Sequence, residues 1–284
     1  MLTLKIKTMR TLLFFFTTLF CLVNSLGKKN ATTTYFQVKP IEIELKSDQI
    51  QEYEVALKWQ NRKALHGDVL NTNIATGIYT IMPDGPTANW NSVCLSNLND
   101  FRGEKQNIKD LTDLEDFSYT TNSTDFLSED FFTTINKENR DLAKWLVCDA
   151  MQMHGLATYV FDNMSFQEPF YPKLLEDYDI QFENWVLFKS TYQKLVWSGI
   201  TQHNNEICAI VKFESFYNPV VMDTPEMTFK GRSLYYGEMW ISLEDKQVEY
   251  SIMIEDVVFR LKSAKMPQPQ LLNLQREVVF DKIN

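Results

Sequence analysis

The sequence predicts an α+β fold in which one long helix covers a large antiparallel, half-barrel-like sheet. Residues 191–262 contain several runs in which apolar and polar side chains alternate, as they do in strands with one buried face. Residues 136–164 carry apolar side chains at three- and four-residue steps, as on an amphipathic helix. Strand patterns lie on both sides of this helix, so we expect a sheet assembled from both ends of the mature chain.

The first 27 residues have the order of a secretory signal peptide. Three basic side chains precede an almost wholly apolar stretch at residues 12–23, and small or polar residues follow it. Because this stretch is short for a membrane span, we expect cleavage and export to the periplasm or the extracellular space. An uncleaved membrane anchor is the alternative. Residues 28–284 are predicted to form a single domain, with a division near Pro169 as the alternative.

Composition excludes several classes of function. Loss of the three basic residues of the signal would take the formal net charge from −9 to about −12, which argues against nucleic acid and anionic membrane surfaces as partners. Glycine is scarce, so a nucleotide-binding loop is not expected. Cys94, Cys148 and Cys208 are odd in number and widely spaced, so we predict buried thiols, with one disulfide as the alternative.

The part of the chain before the long helix contains three predicted strands, at residues 41–45, 53–59 and 75–82. Residues 87–98 then change period, because their large apolar side chains recur at helical spacing, and a short helix is predicted. Residues 102–130 are polar and acidic with aromatic patches. They predict a long surface excursion, and loops of this length are often functional or mobile.

The long helix carries the titratable groups of greatest interest. Trp145 and Leu146 are predicted to pack against the sheet. Asp149 falls on the same apolar side, which predicts a buried carboxylate with a partner. His154 lies beside this face and is predicted to be a core or boundary residue.

Four or five antiparallel strands are predicted within residues 191–262, and a turn is predicted at residues 203–206. Pro219 is expected to end a strand, because proline cannot donate to a strand ladder. Residues 227–236 form a further candidate strand that is interrupted near its middle. Beyond the prolines that follow, residues 271–283 are amphipathic and fit either a helix or a strand.

The last hairpin of this region gives the clearest alternation. Apolar residues occupy the even positions from 248 to 254, which are therefore predicted to face the core. From residue 257 onward the apolar side chains occupy odd positions instead. This change of phase predicts a β-bulge near Glu255.

Signatures of chemistry are weak. The sequence contains no paired histidines at metal-ligand spacing, no phosphate loop and no strand-turn-helix serine elbow, so we predict no metal site, no cofactor and no catalytic residue. The alternative is a secreted hydrolase that uses Asp149 or His154 in a cleft between helix and sheet. A purely structural interaction module is a third hypothesis.

Aromatic side chains are the remaining signal. The predicted ligand-binding residues are Trp197, Phe213, Trp240 and Tyr250, which would line an apolar surface beneath the helix. The alternative is that these rings only fill the core. We therefore predict a non-enzymatic protein of the cell envelope that binds a lipid-like ligand or a protein partner.

Three short stretches carry a family resemblance: Gly199, Asn204-Asn205-Glu206 and Gly237-Glu238-Met239-Trp240-Ile241. Together with the signal peptide and the covering helix, this strand meander resembles the half-barrels of periplasmic lipoprotein carriers. The chain is also similar in style to uncharacterised exported proteins of Bacteroidota. The resemblance implies a curved sheet and a lipid-like ligand, and it assigns no functional residue. The three strands predicted before the first helix depart from the carrier order.

Overall fold

The described residues form an antiparallel sheet and one long helix. The predicted signal peptide and the strand predicted at residues 41–45 lie outside the described residues. The computed structural model describes residues 50–82, 87–115, 117–121, 129–172, 179–182, 186–189, 193–224 and 226–283.

Strands dominate the described residues. The helix, α1, spans Arg140–Asn163 and follows two short 3-10 turns, Glu129–Phe132 and Lys137–Asn139. The strands are β1 (Gln51–Lys63), β2 (Val69–Met82), β3 (Thr87–Leu98), β4 (Lys105–Asp110), β5 (Phe117–Thr120), β6 (Pro169–Phe170), β7 (Asp179–Phe182), β8 (Val186–Lys189), β9 (Lys194–His203), β10 (Glu206–Asp223), β11 (Met227–Ser242), β12 (Val248–Ser263) and β13 (Gln270–Lys282).

All of these strands belong to one antiparallel sheet. Its main order is β4-β3-β2-β1-β13-β12-β11-β10-β8-β7, while β5 pairs with β3, β9 with β10 and β6 with β9. The pairing of β1 with β13 joins the strands before the helix to those after it. This pairing confirms the expectation of a sheet assembled from both parts of the chain. Of the two structures considered for residues 271–283, a helix or a strand, the strand is the one observed.

The prediction of a helix at residues 87–98 is wrong, because this segment forms the strand β3. Its register against β2 shifts between Thr76 and Ile78, where Ser92 adopts a positive φ of 53°. The bulge adds one residue, so Trp90 and Val93 both point into the core although they are three positions apart. A bulged strand can therefore reproduce the apolar spacing of a helical turn.

The surface excursion predicted at residues 102–130 contains two strands, β4 and β5. Every residue of β4 is exposed, and among the described strands β4 pairs only with β3, at one end of the sheet order. A strand that buries neither face has no alternation for sequence analysis to detect.

Pro219 does not end a strand, since β10 continues through it to Asp223. Pro219 pairs with Arg232 just after a bulge between Ser215 and Asn218. The bulge puts Tyr217 at a positive φ of 66°. Proline is tolerated in strands at bulges, which explains the exception. β11 likewise runs without interruption from Met227 to Ser242.

The prediction of a bulge near Glu255 is also wrong. In β12 the buried positions are odd from residue 249 to residue 259, and the pairing with β11 and β13 shifts nowhere near Glu255. Tyr250, Ile252 and Ile254 are only half-buried. The core-facing side chains of the first half of β12 therefore include Glu249, Ser251 and Glu255, opposite to the phase that the sequence predicted.

The main apolar cluster combines residues of α1 with residues of the sheet. Leu146 is buried as predicted, whereas Trp145 is half-buried and packs edge-on against Trp59. Helix residues in the cluster are Leu142, Ala143, Leu146, Val147, Ala150, Met153, Leu156 and Ala157. A second apolar cluster contains Val220, Val257 and Phe259, with Phe188, Phe229, Leu261, Leu272 and Leu274 packed against it.

No helix among the described residues has the length and hydropathy that a bilayer crossing would require.

Candidate functional site

A cavity of about 220 Å³ lies between α1 and the sheet. Most of its wall is apolar, and its polar side is formed by a group of buried charges. The lining residues are Asp141, Trp145, Cys148, Asp149, Gln152, Phe188, Val220, Phe229, Tyr235, Met253, Glu255, Val257, Leu274 and Arg276.

Arg276 is the centre of the polar side. Its Nε donates a hydrogen bond to Glu255 Oε2 at 2.6 Å. Its two terminal nitrogens each donate to one oxygen of Asp149 at 3.1 Å. The Ser233 hydroxyl donates to the other oxygen of Glu255 at 2.5 Å. All four side chains are buried, and the Arg276 guanidinium lies 5.1 Å from the centroid of the Trp145 ring.

The sheet register explains this arrangement. Arg276 on β13 stands directly opposite Glu255 on β12, so both point toward the helix side of the sheet. Asp149 reaches them from the core side of α1 and completes a three-residue ion network. The prediction that Asp149 is a buried, partnered carboxylate is therefore confirmed.

Burial and pairing act in opposite directions on the charges of the network. Burial raises the pKa of Asp149 to about 6, although the neighbouring Arg276 lowers it. Burial disfavours the charge of Arg276, but the carboxylates of Asp149 and Glu255 outweigh that effect and raise the arginine pKa above its usual value. The guanidinium therefore stays charged at any physiological pH.

A smaller cavity of about 20 Å³ adjoins the first, since Asp149, Gln152 and Met253 line both. Apart from Ser251, its remaining wall is apolar and includes Phe213 and Met239. The Gln152 amide nitrogen is inaccessible to solvent and has no hydrogen-bond acceptor within the described part of the chain. A buried donor without an acceptor is costly, so it marks a position where a ligand oxygen would be stabilised.

The four ligand-binding residues that the sequence predicted do not lie together in the structure. Phe213 is buried and lines the smaller cavity. Trp197 is half-buried, packs edge-on against Phe166 and donates its indole N–H to the Gly199 carbonyl at 2.9 Å. Trp197 does not line either cavity.

Trp240 and Tyr250 lie on the other face of the sheet. They are opposite each other on β11 and β12 with ring centroids 4.6 Å apart, and they alternate with residues that point toward the helix. The His203 ring packs 5.3 Å from Trp240, and its Nε2 lies 3.0 Å from a carboxylate oxygen of Asp281. The structure therefore does not bring these two rings together with Phe213.

The groups that a hydrolase would use are engaged in packing and pairing. The His154 ring lies between Tyr53 and Tyr79, with centroid distances of 5.9 and 5.6 Å. Burial lowers the pKa of His154 to about 4, so the imidazole is neutral at pH 7. Both carboxylate oxygens of Asp149 accept hydrogen bonds from Arg276. This is the environment of a core histidine and a structural carboxylate rather than of a general base facing substrate.

The three cysteines among the described residues are free thiols. Cys208 is buried, whereas Cys94 and Cys148 are half-buried, so the prediction of buried thiols is confirmed only for Cys208. Burial raises the pKa of Cys148 to about 12. Cys148 therefore contributes a weakly reactive thiol to the wall of the larger cavity.

A separate acidic group lies where β10 and β12 begin. Carboxylate oxygens of Glu206, Asp245 and Glu249 are within 4.8 Å of one another. The Lys282 ammonium donates a hydrogen bond to Glu249. An internal cation thus already offsets part of the charge at this position.

Sequence analysis missed Arg276 and Glu255 on the polar side of the cavity, and Ser233, which donates a hydrogen bond to Glu255. The available signal was that Arg276 lies two and four positions before Val278 and Phe280 and therefore shares their strand face, which would have placed an arginine in the core.

No protein-family model matches this chain, and no curated protein is detectably similar to it in sequence.

Proposed function

We propose that the protein is an exported, non-enzymatic protein of the cell envelope that binds an apolar ligand in the larger cavity between α1 and the sheet. The observation that carries this proposal is a cavity of about 220 Å³ with mainly apolar walls. Partly open apolar clefts between secondary-structure elements are common sites for small apolar ligands. A ligand in this cavity would remove the apolar wall from water.

The size of the cavity limits the ligand. An apolar cavity of about 150 Å³ is enough to hold one benzene ring, whereas drug-sized ligands occupy about 300 Å³ or more. The cavity therefore suits one short acyl chain or a small ring system. It is too small for several acyl chains at once.

Two glycines of β11 support the curved, half-barrel-like sheet that such a site requires. A Cβ atom on Gly237 would stand 2.0 Å from the Ile252 carbonyl oxygen, and one on Gly231 would stand 2.4 Å from the Val258 carbonyl oxygen. Glycines at such close approaches, together with bulges, are the usual means of bending a sheet. A sheet bent around α1 would enclose the cavity from three sides.

The polar side of the cavity favours an uncharged head group. The charge of Arg276 is already compensated by Asp149 and Glu255, so a ligand carboxylate would bring an additional negative charge into a buried site. The Gln152 amide nitrogen instead offers a hydrogen bond to a neutral oxygen. We therefore favour a fatty alcohol or an acylglycerol over a fatty acid.

The experiment is a calorimetric titration of the purified, delipidated protein with dodecan-1-ol, 1-monolauroylglycerol and laurate. Leu274→Trp places a large side chain in the cavity wall and should abolish binding of the first two. Leu271→Trp changes an exposed leucine three positions away on β13 and should leave binding unchanged.

Each outcome has a separate meaning. Binding of the alcohol that survives Leu274→Trp would contradict this cavity as the site. Laurate binding as tight as that of the alcohol would contradict the neutral head group alone. No heat from any of the three compounds, and no lipid extracted from the purified protein, would contradict ligand binding itself.

A further inference from the structure

We propose that one end of the sheet docks onto an anionic lipid bilayer. This surface, the turn end, consists of the described residues of the ranges 62–70, 223–230 and 260–271. The ranges contain the turns between β1 and β2, between β10 and β11, and between β12 and β13. Backbone hydrogen bonds hold the turns side by side, from Ala64 N to Leu271 O at 2.9 Å and from Ala264 N to Glu226 O at 3.3 Å.

Large apolar side chains project from the turn end. Leu65 is 76% exposed, Val69 51% and Leu70 50%. Leu271, which is 37% exposed, lies beside this hairpin through its backbone bond to Ala64. Single exposed leucines are common on protein surfaces, but three leucines and a valine on neighbouring segments form a patch that needs a partner.

The charge around this patch is opposite to that of the whole chain. The turn end contains six lysines and arginines against three acidic residues, whereas the full chain has 28 basic and 37 acidic residues. Among the described residues, Lys63 is the one member of this group that forms an ion pair with an acidic side chain, that of Asp68 at 3.4 Å. The basic residues are Arg62, Lys63, Lys230, Arg260, Lys262 and Lys265.

An apolar tip with a basic rim matches the chemistry of an anionic bilayer surface. The leucines would enter the boundary between head groups and acyl chains, while the lysines would remain among the anionic head groups. The acidic total charge predicted no such partner. At physiological ionic strength, however, charges interact over about 8 Å only, so the local excess of positive charge decides the interaction.

The turn end also lies on an apolar route from the cavity. Leu274 and Val257 line the cavity, and the next inward residues along their strands are Leu272 and Phe259. These belong to the second apolar cluster, on the side of β12 and β13 that leads to their shared turn. Docking of the turn end would therefore bring the cavity's apolar side toward the acyl chains. The docking proposal does not depend on any ligand in the cavity.

The test is vesicle flotation of the mature secreted protein. One set of vesicles contains equal amounts of phosphatidylglycerol and phosphatidylcholine, and the other contains phosphatidylcholine alone. We expect binding to the anionic vesicles that weakens as salt is raised. Leu65→Gln should weaken this binding about tenfold, the equivalent of one leucine losing its burial. The control is Ile108→Gln, because Ile108 is also exposed, at 64%, but lies on β4 away from the turn end.

A second variant tests the charge. Lys262→Glu combined with Lys265→Glu should remove most of the preference for phosphatidylglycerol and most of the salt dependence. Both residues are exposed, so circular dichroism should be unchanged. Equal binding to both kinds of vesicle, no binding to either, or an effect of Ile108→Gln as large as that of Leu65→Gln would overturn the proposal.

Discussion

The inward positions of β12 form two stretches of opposite chemistry. From residue 249 to residue 255, three of four inward side chains are polar, namely Glu249, Ser251 and Glu255. The next two inward positions, Val257 and Phe259, are apolar. In the first stretch both glutamates form ion pairs with cations on β13, whereas in the second stretch the side chains belong to an apolar cluster.

The difference shows that a strand can bury its polar face when the adjacent strand supplies the opposite charge in register. The apolar residues of the first stretch then turn to the half-buried outer face, and the usual inference from alternation gives the wrong side. If pairing stabilises the first stretch and packing the second, substitutions in the two stretches should have different costs. The largest effect should come from removing a shared cation.

Arg276→Met should lower the free energy of unfolding by about 3–5 kcal/mol, because it leaves two buried carboxylates without their counter-charge. Urea denaturation of the variant and the wild type gives the difference. The control is the triple variant Asp149→Leu, Glu255→Leu, Arg276→Met, which removes every charge of the network and should recover most of the loss. A cost below about 1 kcal/mol for the single variant would show that solvent reaches the network.

His154 is a half-buried titratable group whose pKa is lowered by desolvation. Its pKa falls from 6.5 to about 4 in the folded state, so between these values the unfolded chain binds more protons. The corresponding stability is present above pH 6.5 and is lost as the pH falls toward 4, by roughly 2–3 kcal/mol. His154→Gln should remove this dependence in thermal unfolding measured at several pH values.

Asp149 makes stability depend on pH in the opposite direction, over nearly the same pH range as His154. Its folded pKa of about 6 exceeds the ordinary value of 3.8, so its contribution to stability falls as the pH rises through this interval. The difference between wild type and His154→Gln isolates the histidine from this background. Parallel pH profiles for the two proteins would contradict a buried neutral imidazole.

Gly237 tests tight packing on the same inward face. An added Cβ would lie 2.6 Å from Phe213 Cζ as well as against the backbone of β12, so Gly237→Ala should cost about 1–3 kcal/mol. Gly155→Ala is the matched control, because a Cβ at this helix position meets no atom within 4 Å. It should stabilise the protein by about 0.5–1 kcal/mol through helix propensity. Equal costs at both glycines would argue against a sharply bent β11.

Trp145→Phe should have the smallest effect, a loss of about 0.5–1 kcal/mol, since phenylalanine keeps a ring over the Arg276 guanidinium but binds a cation less well than indole. A double-mutant cycle checks the cause. In the Arg276→Met background the same change should cost nothing beyond packing. An undiminished cost there would assign the role of Trp145 to its contact with Trp59 instead.

Sequence reasoning succeeded where one local pattern determined the structure. The helical period placed α1 within a few residues of its observed ends and put Asp149 on its buried side. It failed where the outcome depended on partners far along the chain. Arg276 lies 127 residues from Asp149, and the bulge at Ser92 gave β3 the apolar spacing of a helix. Register and bulges are set by cross-strand neighbours, which periodicity alone does not contain.

The pairing of β1 with β13 has a consequence for how the protein reaches its folded state. β13 sits centrally in the sheet, between β1 and β12, although it follows every other described strand along the chain. Until residue 282 has emerged, β1 and β12 each expose an unpaired edge that invites association with other chains. Such long-range pairing folds slowly, so a nascent chain remains unassembled for longer and is open to chaperone binding during that interval.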